Sequence, residues 1–308
     1  MLPMILSSFH QPVLLPEVLG FLQVEKDKKY IDATLGGGGY TEKIIECGGI
    51  VLGIDKDIDA IEHVRRNFPD KIFSGPKAKL TIKHGDFSQI GKMAKESGFE
   101  DISGIVFDLG ISTYQLERSG RGFSFKSDDE IDMRMDKTSE LKAINLLNSL
   151  SRDKLYEIFT KNSEELYSRA IADAVVFTRT LKGEISKASD LAEIIKQLIS
   201  KNTRGNEDGR WQKSAARIFQ ALRIAVNKEL ENLKKALDAS IYLLAGKGKI
   251  VVVSYHSLED RIVKKRFGLW YKEKKGKSLT KKPIFPSFSE IRNNPKAGSA
   301  KLRVFKKT

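Results

Sequence analysis

The chain has 308 residues, 40% of them hydrophobic, with one cysteine and a net charge of +14. Such a length buries a core without covalent staples, and a lone Cys47 cannot form an internal disulfide, so a disulfide-framework fold is excluded and Cys47 reads as a small buried hydrophobe in a reduced, cytoplasmic protein. No apolar run reaches the roughly 18 residues of a membrane span, and the short apolar segment Met1 to Phe9 lacks a basic flank.

Lys29 to Thr34 reads as a strand, followed by four glycines, Gly36 to Gly39, and a helix from Thr41 to Cys47. Ile50 to Asp55 is a second strand, Ile58 to Asn67 a helix, Leu80 to Lys83 a third strand and Ile102 to Asp108 a fourth. Strands alternating with helices build a parallel sheet, because parallel neighbours need crossovers. The expected fold class is α/β, a doubly wound Rossmann-like sheet.

After Asp108 roughly the next hundred residues hold no convincing strand, only a Gly/Ser/Asp-rich stretch and helical periodicity near Leu141, Leu155, Ile171 and Leu191. A polar break at Lys201 to Gly209 precedes one long helix. Its stripe of Ile218, Leu222, Val226, Leu230, Leu233, Leu237, Ile241 and Leu244 is expected to face the sheet. Gly246 and Gly248 are expected to end that helix, and Lys249 to Tyr255 to complete the parallel sheet. The domain expectation is a discontinuous sheet domain, residues 1–111 and 216–308, around an inserted all-helical substrate-recognition domain, 112–215. Pro283 to Phe285 and Lys301 to Phe305 read as edge strands.

From Lys264 to Thr308 fifteen Lys or Arg face two Glu, which leaves the rest of the chain almost neutral. Trp270, Tyr271, Phe285 and Phe288 are interleaved with those charges, as a surface that tracks phosphates and stacks bases requires; an ordinary solvated face is the plain alternative.

The glycine loop permits positive φ and close approach of a ligand, and Asp55 follows Gly36 by about nineteen residues, where a doubly wound fold places the acceptor of ribose hydroxyls. Two nucleoside cofactors compete. The dinucleotide fingerprint needs a third glycine where Thr41 stands, whereas an acidic residue such as Asp32 before the loop, and carboxylates generally, suit a cationic sulfonium. S-adenosylmethionine is therefore favoured over NAD. His84-Gly85-Asp86-Phe87 after the third strand would flank an adenine, and Asp108 ends the fourth strand near the methyl donor. Phe87 as plain core packing stays open.

These segments closely resemble one bacterial family, the 16S ribosomal RNA (cytosine-N4)-methyltransferases. The resemblance runs through His10 to Val18, Asp32 to Tyr40, Asp108-Leu109-Gly110-Ile111-Ser112, Arg121-Gly122-Phe123-Ser124-Phe125, Asp132-Met133-Arg134-Met135-Asp136, Phe219 to Asn227, Ser254-Tyr255-His256-Ser257 on to Arg261, and Ser299 to Val304. It implies an S-adenosylmethionine pocket lined by Gly38, Gly39, Tyr40, Asp55, Phe87, Asp108 and Gln115. It also implies a substrate cytidine in the decoding centre of 16S rRNA, family position 1402, within the small subunit. Tyr40 stands where the family usually carries histidine, and Asn162-Ser163 precede the paired Glu164-Glu165 where the family has glycine.

Cytosine's exocyclic amine is a weak nucleophile, so positioning and hydrogen-bond acceptors must activate it. Asp108 and Ser112 are the candidate acceptors. His256, a general base or a base-edge contact, and Ser254 lie at the end of the last parallel strand. Arg121, Phe123, Phe125, Asp132 and Arg134 offer groups suited to an unstacked base, and Gln220, Arg223 and Asn227 form a polar line on the long helix, each of them equally an internal packing device. No His or Cys pair has metal-ligand spacing, so no metal is expected. A non-catalytic RNA-binding assembly factor, an NAD-dependent dehydrogenase, and DNA or protein as methyl acceptors remain the competing readings.

Overall fold

The computed structural model describes residues 11–69, 78–202 and 209–308; His10, the segment Met1 to Phe9 and most of the polar break after Lys201 lie outside the described residues. The chain forms two compact units, Met1–Ser112 with Leu230–Thr308, and Thr113–Glu229.

In chain order the first stretch runs α1 (Leu15–Leu22), β1 (Lys29–Asp32), α2 (Gly39–Glu46), β2 (Ile50–Asp55), α3 (Ile58–Asn67), β3 (Leu80–His84), α4 (Ile90–Glu96) and β4 (Ile102–Asp108). Six helices follow: α5 (Thr113–Glu117), α6 (Ala143–Ser149), α7 (Arg152–Ser163), α8 (Ser168–Lys182), α9 (Ala188–Asn202) and α10 (Arg210–Asn227). The chain then returns through α11 (Glu229–Leu243), β5 (Leu244–Ser254), α12 (Ser257–Lys272), β6 (Gly276–Ser278), α13 (Phe288–Asn293) and β7 (Lys301–Lys307).

The strand order is β3-β2-β1-β4-β5-β7-β6. β1 to β5 are mutually parallel, and β7 inserts antiparallel between β5 and β6. The doubly wound α/β expectation therefore holds, with β1/β4 as the point where strand order reverses. Ile105, Phe107, Ile250 and Val252 face a core closed by Leu233 and Leu237 of α11 and Val263 and Phe267 of α12. The opposite face, with Val106, Val251, Val253, Leu302 and Val304, packs under Val18 and Leu22 of α1 and Ile44 of α2. A strand buried on both faces needs a continuous apolar run, which is what β4 and β5 carry.

Several expectations are corrected. The long helix is two, because Lys228 takes a left-handed φ of 52° and its amide caps α10 on the Ile224 carbonyl. Leu233, Leu237 and Ile241 do face the sheet, but Ile218, Leu222 and Val226 are buried within the helical unit, whose end falls at Glu229 and not at 215. Gly246 and Gly248 lie inside β5. Lys301–Lys307 is an interior strand, and the Pro283 to Phe285 segment supplies only an Ile284–Leu302 bridge. Cys47 is exposed, since it caps α2 on the outer side. Trp270 is no base-stacking residue: it is 2% exposed and packs on Phe267 and Phe305 at 5.5 and 5.1 Å between ring centres. Tyr271, Phe285 and Phe288 are exposed.

The Thr113–Glu229 unit is a helical bundle in which α10 packs on α7 and α9, and α8 on α7 and α9. No described helix is long and apolar enough to cross a membrane.

Candidate functional site

Three carboxylates gather at the carboxyl ends of neighbouring strands. Asp32 ends β1, Asp55 ends β2 and Asp108 ends β4. The registers Asp32↔Gly53 and Asp32↔Val106 put all three on one face, because side chains alternate along each strand and directly opposed residues share a face. This is the crevice position at which open α/β sheets bind ligands.

Asp32 is fully buried; its Oδ2 accepts from the Thr41 hydroxyl at 2.7 Å and its Oδ1 from the Thr34 amide at 3.3 Å. Burial, reinforced by the charges of Asp108 and Asp55, outweighs those bonds and pushes its carboxyl up to about 7. Asp55 accepts from the Gly36 amide at 2.7 Å and the Asp57 amide at 2.8 Å, and burial still pushes it up to about 6. Two acids held above their ordinary range chiefly by burial are groups whose ionised form a cationic ligand would favour.

The glycine loop is shaped by the protein itself. Gly38 has φ 80°, and a Cβ there would sit 2.7 Å from the Phe68 ring; one on Gly39 would sit 2.8 Å from Pro12. The Gly36 amide is bound to Asp55 and the Gly38 amide to the Leu35 carbonyl. Amides so engaged are not free to cradle a pyrophosphate, whereas the acid set suits a sulfonium and an ammonium together with ribose hydroxyls. The residues present therefore fit S-adenosylmethionine better than a dinucleotide.

Tyr40, expected to line this pocket, is 3% exposed and its hydroxyl donates to the Val13 carbonyl. The phenol thus belongs to the packing of α1 and α2, and burial pushes it well above its ordinary range. Phe87 is half-buried, edge-on to Phe107 at 6.0 Å, and opens a single 3-10 turn capped by Asp86. Asp86 also binds Lys56 at 3.3 Å and Asn232 at 2.9 Å.

Asp108 is half-buried. Its amide donates to Thr34 Oγ1 at 2.7 Å, and its Oδ1 accepts from the Tyr255 hydroxyl at 2.7 Å. The Tyr255 ring lies over Gly110, whose φ is 101° and whose Cβ would be 3.4 Å from it. Burial, then the Asp108 charge, hold the Tyr255 phenol protonated well above its usual range. Tyr255 was not among the residues expected at the site. Strand alternation carries the signal: Asp108 opposes Val253, so Tyr255, two residues on, shares its face and Ser254 does not.

Ser254 is accordingly withdrawn from the crevice; it is 1% exposed, and its hydroxyl reaches the Lys301 carbonyl at 3.4 Å. His256 is the N-cap of α12. Its Nδ1 accepts from the Glu259 amide at 3.4 Å while the Glu259 carboxylate accepts from the Tyr255 amide at 2.9 Å. Its Nε2 is buried 3.2 Å from a Glu259 oxygen, so the ring is tied into the cap of its own helix. Ser112 is half-buried beyond the turn at Gly110.

The remaining expected residues fall in the Thr113–Glu229 unit. Gln115 is 8% exposed on α5. Arg121 is buried, donates to the carbonyls of Arg134 and Met135 at 3.0 Å each, and lies 5.5 Å from the centre of the buried Phe123 ring. Asp132 and Arg134 form a two-bond pair, both at 2.7 Å; burial works against the carboxylate's charge, but the Arg134 bonds prevail and lower its pKa. Arg223 is paired through two bonds with Glu229 at 2.9 and 3.0 Å. Asn227 accepts from the Met133-Arg134-Met135 stretch at the Met135 amide and donates to the Met133 carbonyl, both at 2.8 Å. These groups hold the bundle and its long loop together. Phe125 is half-buried and edge-on to Trp211 and Phe219 at 6.0 and 6.1 Å.

A family model described as "MraW methylase family" matches residues 7–308. The chain is 39% identical over 313 residues to the ribosomal RNA small subunit methyltransferase H of Halothermothrix orenii, covering 96% of this chain and 97% of the relative. It is likewise 39% identical over 316 residues to the protein of that name from Caldicellulosiruptor saccharolyticus, covering 97% and 99%. Among solved structures, an rRNA methylase from Streptococcus thermophilus aligns over 94% of both chains at 10% identity with a TM-score of 0.45.

Proposed function

Since the chain belongs to the MraW methylase family, we propose that its carboxylate-lined crevice methylates the exocyclic N4 of a cytidine in small-subunit 16S ribosomal RNA, at family position 1402 in the decoding centre. It is an rRNA methyltransferase whose cofactor is S-adenosylmethionine. The observation that carries the finer reading is Asp108, fixed from two sides by Thr34 and Tyr255 at the strand end.

Asp32 and Asp55 would hold the cofactor through their field and, at Asp55, through ribose hydroxyls, with Phe87 beside the adenine. When bound, S-adenosylmethionine supplies an electrophilic methyl group on a sulfonium. Asp108 accepts a hydrogen bond from the cytosine amine, which orients the nitrogen lone pair and stabilises the positive charge that develops there. On transfer of the methyl group from sulfur to nitrogen the amine would lose one proton, which Asp108 would accept. Ser112 supplies a second acceptor by its position after Gly110. Tyr255 is a positioning residue: its hydroxyl keeps the Asp108 carboxylate in one rotamer.

The defining experiment transfers labelled methyl groups from S-adenosylmethionine to small subunits from cells that lack the protein, followed by nucleoside analysis. Label in N4-methylcytidine is the expected result, and label confined to another nucleoside removes the assignment. Tyr255→Phe should lower the rate of methyl transfer about tenfold, on the order of one lost hydrogen bond to a charged group, with the cofactor Kd unchanged. An unchanged rate in single-turnover kinetics would show that Asp108 needs no such support.

A further inference from the structure

The crevice face of the sheet carries a second charged feature at its other end. The registers Lys249↔Lys306 and Lys277↔Lys306 align three lysines in one row across β5, β7 and β6. Directly opposed residues share a face, so the three side chains project from the same side of the sheet, over a span of about 10 Å set by two strand spacings. Like charges opposed across a ladder are destabilising, and opposite charges are the usual solution.

No carboxylate bonds to any of the three among the described residues. Lys249, 8% exposed, is held by neutral groups only, Gln23 Oε1 at 2.6 Å and the Leu22 carbonyl at 3.4 Å at the end of α1. Burial, then the Lys306 charge, lower its pKa against the pull of Glu25. Lys306 is half-buried and Lys277 exposed. The neighbouring Lys307 donates to the Leu244 carbonyl and leaves this repulsion in place. The fold therefore bears a row of like charge that it does not neutralise internally.

We infer that Lys306 and Lys277, backed by the buried Lys249, form a contact surface for the phosphate backbone of the RNA substrate, separate from the crevice that takes the reacting base. On the strand grid Lys306 lies on the order of 15 Å from Asp108, four residues down and two strands across, so the phosphates it meets belong to nucleotides away from the target. Ammonium groups on flexible stems bind phosphates as point charges, without reading sequence. The surface thus adds affinity and leaves the choice of base to the crevice.

This inference rests on the RNA reading above. The full chain and a Lys277→Gln/Lys306→Gln double variant would be compared for binding to a 16S rRNA transcript across a salt series. Because the variant neutralises two phosphates fewer, the slope of log K against log salt should shrink by about 1.4 to 1.8, and affinity near physiological salt should fall about tenfold. S-adenosylmethionine affinity should stay the same, and the thermal midpoint should hold or rise because the repulsion is relieved. The Lys277→Arg/Lys306→Arg variant should restore the slope. An unchanged slope in the glutamine variant, with wild-type protein binding the transcript, overturns the phosphate surface and leaves the RNA reading intact. A wild-type protein that binds neither the transcript nor small subunits overturns both.

Discussion

Asp108→Ala lowers methyl transfer by roughly a thousandfold, about 4 kcal/mol of transition-state stabilisation, while the protein still folds; removing one preorganised polar contact from a developing charge has cost comparable amounts elsewhere. The carboxylate is half-buried at a strand end, and the strand's own packing runs through Ile105, Val106 and Phe107, so its loss leaves the core intact. Asp108→Asn should be nearly as damaging, because an amide that turns its NH2 toward the cytosine amine meets a donor with a donor. Single-turnover rates with saturating cofactor, beside circular dichroism melts, decide the matter. A rate within a few-fold of wild type in the alanine variant would take Asp108 out of the chemistry.

Asp32→Asn is expected to reshape the dependence of stability on pH. The folded carboxyl titrates near 7 and the unfolded one at 3.8, so the folded state keeps a proton that the unfolded state has already released. Stability from this group is therefore complete below the unfolded value, declines as pH rises toward about 7, and is flat above it. The decline amounts to roughly 4 kcal/mol at about 1.36 kcal/mol for each pH unit crossed. Asparagine cannot ionise, so the apo variant should be the more stable protein at pH 8 by roughly 3 kcal/mol, after about 1 kcal/mol for weakened bonding to Thr41 and Thr34. Cofactor binding should move the other way. Wild-type affinity for S-adenosylmethionine should rise between pH 6 and 8 as the acids ionise, with proton release on binding near pH 6.5, and the variant should bind more weakly with a flatter profile. Urea denaturation and titration calorimetry over that pH range test both halves; parallel curves for the two proteins would mean that Asp32 is not the group that titrates.

How much of this was legible in the sequence differs by level. β2 and β4 match the expected spans because each is a short apolar run ending in Asp, and α3 because its apolar residues recur at helical spacing behind the Asp57 cap, so that periodicity and turn chemistry agree. The split of the long helix at Lys228 was not legible, since the residues on either side keep the same spacing and only one backbone φ differs. β6 has three residues and no apolar pattern; it exists because β7 offers a free ladder. At the site, Asp32, Asp55 and Asp108 were readable as strand-end acids. The polar residues of the helical unit stayed open between substrate contacts and internal ties, because their partners are distant in sequence: Asn227 meets Met133 and Met135 across more than ninety positions. Tyr40 looked like a loop residue before a helix, and only the packed structure turns its hydroxyl onto Val13.

The interruption of the sheet between β4 and β5 also bears on how the chain reaches this state. These two strands pair along six positions, yet every residue from Leu109 to Leu243 lies between them. Bringing them together from an unstructured chain carries a loop-closure entropy that grows with the logarithm of that separation. If the helical unit Thr113–Glu229 condenses first, from local contacts that form quickly, the flexible chain left to close is several times shorter and the entropic cost falls by roughly 1 to 2 kcal/mol. On that order of events the inserted bundle would be a folding step for the sheet, and helices that contribute no strand to it would set the speed at which it assembles.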